Sequence, residues 1–92
     1  MTNRFSETPN RVDSVITDFC VEINKGVDKY GNYRSYHEAY AVILEEVDEL
    51  WDELKKKGRD KDLIYAEAIQ VAATAYRLAE EIYLERLSES NK

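Results

Sequence analysis

The sequence predicts an all-α protein: three long helices in a single domain, forming a helical bundle completed by homo-oligomerisation. Three observations carry that expectation. Apolar residues recur at i, i+3, i+4 spacing through three separate segments. No segment alternates apolar and polar residues for five positions between turn residues, as a half-buried strand would. The third helical segment is apolar around most of its circumference, which is more than two other helices of one short chain can cover.

The first helix is announced by Thr8 and Pro9, because proline's fixed φ suits the first helical position and its missing N–H would go unpaired there anyway. From there Val12, Val15, Ile16, Phe19, Cys20, Ile23 and Val27 form one stripe that ends before Gly31. Ser35 and Glu38 read as a capping box opening a second helix that runs to about Lys57. Gly58 is the expected stop, since it tolerates the left-handed conformation, and Lys55, Lys56 and Lys57 complement the negative end of the helix dipole. A third helix is expected from Asp60 or Asp62 to about Leu87. The sequence reads as one domain over residues 1–92, with residues 1–8 and the polar tail 88–92 as flexible ends.

A chain of 92 residues buries only about 60 to 65% of the surface its unfolded form exposes, so its own core is thin. Hydrophobic residues at 43% and charged ones at 35% suit a folded helical protein rather than a disordered one. Lys and Arg are outnumbered 13 to 19 by Asp and Glu, and the net charge is -6. That balance argues against nucleic acid or an anionic membrane as partner. One cysteine forms no internal disulfide, and no apolar run approaches a membrane span or a secretory signal. The expected location is cytoplasmic.

The second helix contains LEEVDELWDEL over residues 44–54, with six of the nine residues from Glu45 to Glu53 acidic. On a helical wheel, Tyr40, Ile43, Leu44, Val47, Leu50, Trp51 and Leu54 fall within about 120°, an ordinary core-facing stripe. Glu46 and Glu49 lie outside it, on a side shared with Ala39, Val42 and Glu53, where a fully solvated face would not need Val42. Asp48 and Asp52 flank the opposite edge and read as solvated. In the third helix, from Leu63 to Ala79, every residue except Glu67, Gln70, Thr74 and Arg77 is apolar or a tyrosine. The alanines there let neighbouring helices approach closely, which predicts a homo-oligomer, a dimer above all.

Within such a segment Glu67 must be paired, protonated or bound to a cation. Arg77, ten residues on, is out of reach within the same helix. A divalent ion held jointly with Glu46 and Glu49 resolves the charge, and Mg²⁺, which prefers carboxylate oxygens, water and substrate phosphate, suits that donor set.

Glu45, Glu46 and Glu49, followed after a basic loop by Glu67 and Gln70, resemble the EExxE and ExxD pair of the all-α nucleotide pyrophosphohydrolases, the MazG-like superfamily. The likeness covers about residues 35–81. It implies a dimer or tetramer of helical bundles that uses Mg²⁺ to convert a nucleoside triphosphate, ribo or deoxy, to the monophosphate and pyrophosphate. It assigns Glu46, Glu49 and Glu67 as metal ligands and Glu45 as the acid that orients or deprotonates the attacking water. Gln70 stands where the family has an aspartate; its carbonyl can ligate Mg²⁺ but brings no charge. The alternative reading is a catalytically degenerate oligomer of the same fold that binds nucleotide or a protein partner.

The remaining features have simpler expectations. Trp51 and Cys20 lie on apolar stripes and read as core. His37, in the first turn of its helix, reads as surface. Lys55, Lys56, Lys57, Arg59 and Lys61 read as helix-end solvation, with contact to phosphate as the alternative. Tyr30, Tyr33, Tyr36 and Tyr40 either wall a nucleobase pocket or pack an oligomer interface.

Overall fold

A computed structural model of the protein describes residues 9–90, and the side chains of residues 11–90. It consists of α1 (Pro9–Tyr30), α2 (Tyr36–Leu54) and α3 (Lys61–Ser90), with no strand among the described residues. No described helix is long and apolar enough to cross a membrane. The expected role of Thr8, and the outer parts of the expected flexible ends, fall outside the described residues.

The helix boundaries follow from local chemistry. Gly31 takes the last α1 hydrogen bond, donating to the Val27 carbonyl at 2.9 Å, and then adopts a φ of 67°, which turns the chain out of the helix at no steric cost. Ser35, extended at φ -158°, caps α2 by accepting from the Glu38 N–H at 3.0 Å. The Glu38 carboxylate reaches back to the Arg34 N–H at 3.0 Å, one residue earlier than the expected box. The second helix ends at Leu54, not at Lys57: Lys55 closes the last turn onto the Trp51 carbonyl, and the Arg59 Nε donates to the Leu54 carbonyl at 2.8 Å. That side chain satisfies an end that the sequence reading assigned to Gly58, whose φ is not positive. Asp60 caps α3 through Oδ1, which accepts from the N–H groups of Asp62 and Leu63 at 2.9 and 3.3 Å. The third helix continues through Ser90, three residues past the expected end.

α3 is the spine. α1 and α2 each pack along it, and they do not pack on each other. Among the described residues the buried apolar ones are Ile23 from α1, Ala39 from α2, and Ile69 and Ala73 from α3. Phe19 meets Tyr76 edge to face at 5.5 Å. The first connection is fastened to the spine by Tyr33, whose N–H donates to the Glu81 carboxylate at 2.6 Å and whose hydroxyl donates to the Thr74 carbonyl at 2.9 Å.

This packing corrects three expectations. The apolar stripe of α2 does not face the chain's own core. Only Ile43 and Leu50, at its edge, are half-buried, while Tyr40, Leu44, Val47, Trp51 and Leu54 are exposed. Trp51 is 58% exposed and so is not a core residue within the protomer. Cys20 is exposed as well. The reason is the seam: Ala39, fully buried at 0% exposure, lets α2 approach α3 along the Ala39–Ile43–Leu50 edge, and that choice rotates the larger side chains away. On α3 the polar stripe faces inward, with Thr74 and Arg77 buried and Glu67 and Gln70 half-buried, while Leu63, Tyr65, Tyr76, Tyr83, Leu84 and Leu87 point outward. His37, Asp48 and Asp52 are exposed, as expected.

Candidate metal centre

Because α1 and α2 flank α3 without meeting, a gap remains between them, and α3 forms its floor. The resulting cavity has a volume of about 790 Å³. The α2 wall supplies Glu45, Glu46 and Glu49, the floor supplies Glu67, Gln70 and Arg77, and the α1 wall supplies Glu22, Lys25 and Lys29.

At its centre Glu46 and Glu49, one helical turn apart on α2, meet Glu67 from α3. Each offers a carboxylate oxygen, and the three atoms lie within 4.8 Å of one another. At that spacing two full charges repel by roughly 3 kcal/mol at an effective dielectric of about 20, before solvent screening of the exposed Glu49. Among the described residues no lysine or arginine pairs with any of the three. The ion pairs among the described residues are Lys25 with Glu22, Lys55 with Asp52, and Lys56 with Glu53. The Glu67 Oε2 is sealed from solvent and has no hydrogen-bond partner.

The electrostatics register that crowding. Burial, then the charge of Glu49 and a hydrogen bond to it, push the Glu46 carboxyl up to about 7, with Glu67 and Glu45 adding to the rise. Burial and the charge of Glu49 also hold the Glu67 carboxyl above its ordinary range. With its pKa at about 7 the Glu46 carboxyl is only partly ionised at neutral pH, and a cation bound there would favour the ionised form.

The other expected site residues sit in the same cavity with different surroundings. Glu45 is exposed on the α2 wall, outside the close trio. Gln70 donates its Nε2 to the Glu22 Oε2 at 2.6 Å. A carboxylate only accepts, so this contact fixes the amide: the NH₂ turns to α1, and the carbonyl oxygen is the atom left free. Tyr30 and Tyr33 line the cavity, whereas Tyr40 belongs to the outward stripe of α2 and Tyr36, though exposed, donates its hydroxyl to Glu85 of α3 at 3.2 Å. Of the basic residues in the second connection none lines the cavity. Lys55 and Lys56 pair with acids of their own helix, and Arg59 caps it.

Two site residues escaped the sequence reading. Glu22 is one of several acids along α1, and nothing local marks it as the one that reaches α3. Arg77 belonged to the polar stripe already recognised on the third helix, but the stripe's inward direction was not apparent. No family model, curated protein or solved structure matches the chain, so its own geometry carries the functional reading.

Proposed function

We propose that the protein is a Mg²⁺-dependent nucleoside triphosphate pyrophosphohydrolase of the MazG-like kind, assembled as a homodimer or homotetramer. The observation that carries this reading is the convergence of Glu46, Glu49 and Glu67 within 4.8 Å from two helices, with an orphaned oxygen on Glu67 and no ion pair to any of the three among the described residues. The donor set suits a hard divalent cation, which takes oxygen ligands and keeps several waters. Glu46, Glu49 and Glu67 would hold it, and Gln70 would add its carbonyl oxygen, oriented by Glu22. When bound, the ion neutralises phosphate charge and lowers the pKa of water. Glu45, exposed on the same wall of the cavity, would be the residue to orient an attacking water and accept its proton.

Oligomerisation draws on the outward faces. Burying a large apolar side chain contributes ~1.5–3 kcal/mol, and part of that is forfeited while Tyr40 and Trp51 are more than half exposed and Leu44, Val47 and Leu54 more than a third. A second copy presenting the same stripe covers both and completes a four-helix core.

One observation favours a second reading, a nucleotide-binding module without hydrolysis: the neutral Gln70 leaves the centre one carboxylate short. Phosphate release from a panel of triphosphates with Mg²⁺ separates the two. Turnover that disappears in Glu67→Gln supports the hydrolase. Binding of triphosphate without turnover, with activity appearing in Gln70→Asp, identifies the module. Absence of both Mg²⁺ and nucleotide binding by calorimetry rejects the site.

A further inference from the structure

The cavity is lined by cations as well as carboxylates: Lys25 and Lys29 on α1, Arg34 in the first connection and Arg77 on α3, alongside Glu22 and Glu38. Lys25 is paired with Glu22, whereas Lys29 shares the Tyr30 ring with Arg77. Arg77 is only 8% exposed, yet it makes no ion pair among the described residues. Its Nη2 donates to the Gly31 carbonyl at 2.8 Å, and its guanidinium carbon lies 4.6 Å from the Tyr33 ring centroid and 6.0 Å from that of Tyr30. Nε and Nη1 make no hydrogen bond among the described residues, and neither is sealed from solvent. Arg77 lines the cavity, so these two groups keep donor capacity at its wall, close to Gly26 of α1.

The arrangement is costly unless something binds there. A buried guanidinium without a counter-charge is destabilising, and an apolar side chain of similar length is often neutral or better. Room for it also depends on Gly26 of α1, where a Cβ would come within 3.2 Å of both the Arg77 Cδ and its Nη1. Glycine inside a helix costs about 1 kcal/mol relative to alanine. Two local costs thus meet at one point, and both are incurred by keeping a guanidinium with free N–H groups against a cavity. The smaller groove of about 570 Å³ on the other side of Tyr33 differs in this respect: there the Tyr33 N–H and the Tyr36 hydroxyl are already paired with Glu81 and Glu85.

We infer that Arg77 anchors an oxyanion site for a phosphoryl group, with Lys29, which shares the Tyr30 ring with it, beside it. The planar fork of arginine matches phosphate oxygens two at a time, and the stacked Tyr33 ring holds its plane fixed. The inference rests on Arg77 and Gly26 and not on the metal reading. If both hold, the cavity is built to receive a polyphosphate between a cation held by the carboxylates and the Arg77 guanidinium.

The test is calorimetric titration of inorganic pyrophosphate into the full-length protein, first with EDTA and then with Mg²⁺, alongside Arg77→Met and Arg77→Lys. The native protein is expected to bind pyrophosphate. Arg77→Met should lose at least ~10-fold in affinity, as one charge-assisted pair implies, and Arg77→Lys, which keeps the charge but not the fork, should lose less. Pyrophosphate should raise the Tm of the native protein and leave that of Arg77→Met unchanged. If Arg77→Met does not fold, Gly26→Ala, which presses on the guanidinium, provides the same reading. Equal pyrophosphate affinity in the native protein and the variants would overturn the inference, as would malonate binding as tightly as pyrophosphate. An Arg77→Met variant that only melts earlier would reduce Arg77 to a fastener for Gly31 and overturn it too. Pyrophosphate binding without Mg²⁺ uptake would reject the hydrolase and leave this site standing; the reverse would reject this site alone.

Discussion

Along α2, the side turned toward α3 carries Ala39, Glu46 and Glu53, while the neighbouring side, about 110° around the helix, holds Tyr40, Leu44, Val47, Trp51 and Leu54 in water. A helix of a self-sufficient small domain is arranged the other way, with carboxylates outward and aromatics inward. α3 repeats the inversion: its polar stripe Glu67, Gln70, Thr74 and Arg77 faces the other helices, and its tyrosines and leucines face out. The comparison teaches that the two faces pose different problems for one chain: crowded carboxylates on the inner side and partly exposed apolar side chains on the outer side. On the proposed reading a cation would neutralise the first and a second copy would cover the second.

Breaking the outer face has the largest expected effect. Replacing Leu44 and Trp51 together by glutamate places two charges on the shared stripe. Analytical ultracentrifugation should find the native protein as a dimer or tetramer and the double variant as a monomer, with stability lower by several kcal/mol, on the order of two lost core side chains. A native protein that sediments as a stable monomer would sink the interface.

The inner face responds in the opposite direction. Glu67→Leu removes a crowded carboxylate whose Oε2 has no partner, so without divalent ions it should raise the stability by about 1 kcal/mol while abolishing any stabilisation by Mg²⁺. A melt in which Mg²⁺ stabilises the variant as much as the native protein would detach Glu67 from the site.

Titration sharpens the same face with a smaller effect. The Glu46 carboxyl rises from 4.5 to about 7 on folding, so the folded chain binds the proton more tightly than the unfolded one. Stability from this group is fully present below about 4.5 and is lost as pH rises through about 7. In EDTA the Tm should therefore decline between these values, Glu46→Gln should flatten the decline, and Mg²⁺ should compensate it at the alkaline end. A native Tm that rises across this window would contradict the cluster's electrostatics. Smallest of all, Asp48→Asn and Asp52→Asn, on the solvated arc between the two faces, should each change stability by less than ~0.5 kcal/mol and leave Mg²⁺ binding unaltered.

Much of the fold was legible in the sequence because its signals are local. The Ser35 cap, the Asp60 start and the turn at Gly31 each depend on residues within a few positions. The direction of the faces was not legible. Periodicity shows that Tyr40, Leu44, Val47 and Trp51 share a side, but whether α3 packs against that side or the Ala39 edge depends on which allows closer approach. The same ambiguity misplaced Cys20. In the site, Glu46, Glu49 and Glu67 could be picked out because carboxylates opposite an otherwise apolar helix stand out. Glu22 and Arg77 could not, because their importance arises only where α1 crosses α3, a juxtaposition with no sequence spacing of its own.

The claim that the inward carboxylates form a divalent-cation site is tested most directly by titrating Mg²⁺ into the full-length protein and into Glu46→Gln/Glu49→Gln/Glu67→Gln by calorimetry, near pH 7 in two buffers of different ionisation enthalpy. The account predicts saturable binding in the native protein, accompanied by release of the proton that Glu46 holds with a pKa of about 7, and neither in the triple variant. Heats that do not saturate, or that are the same in both proteins, would contradict it.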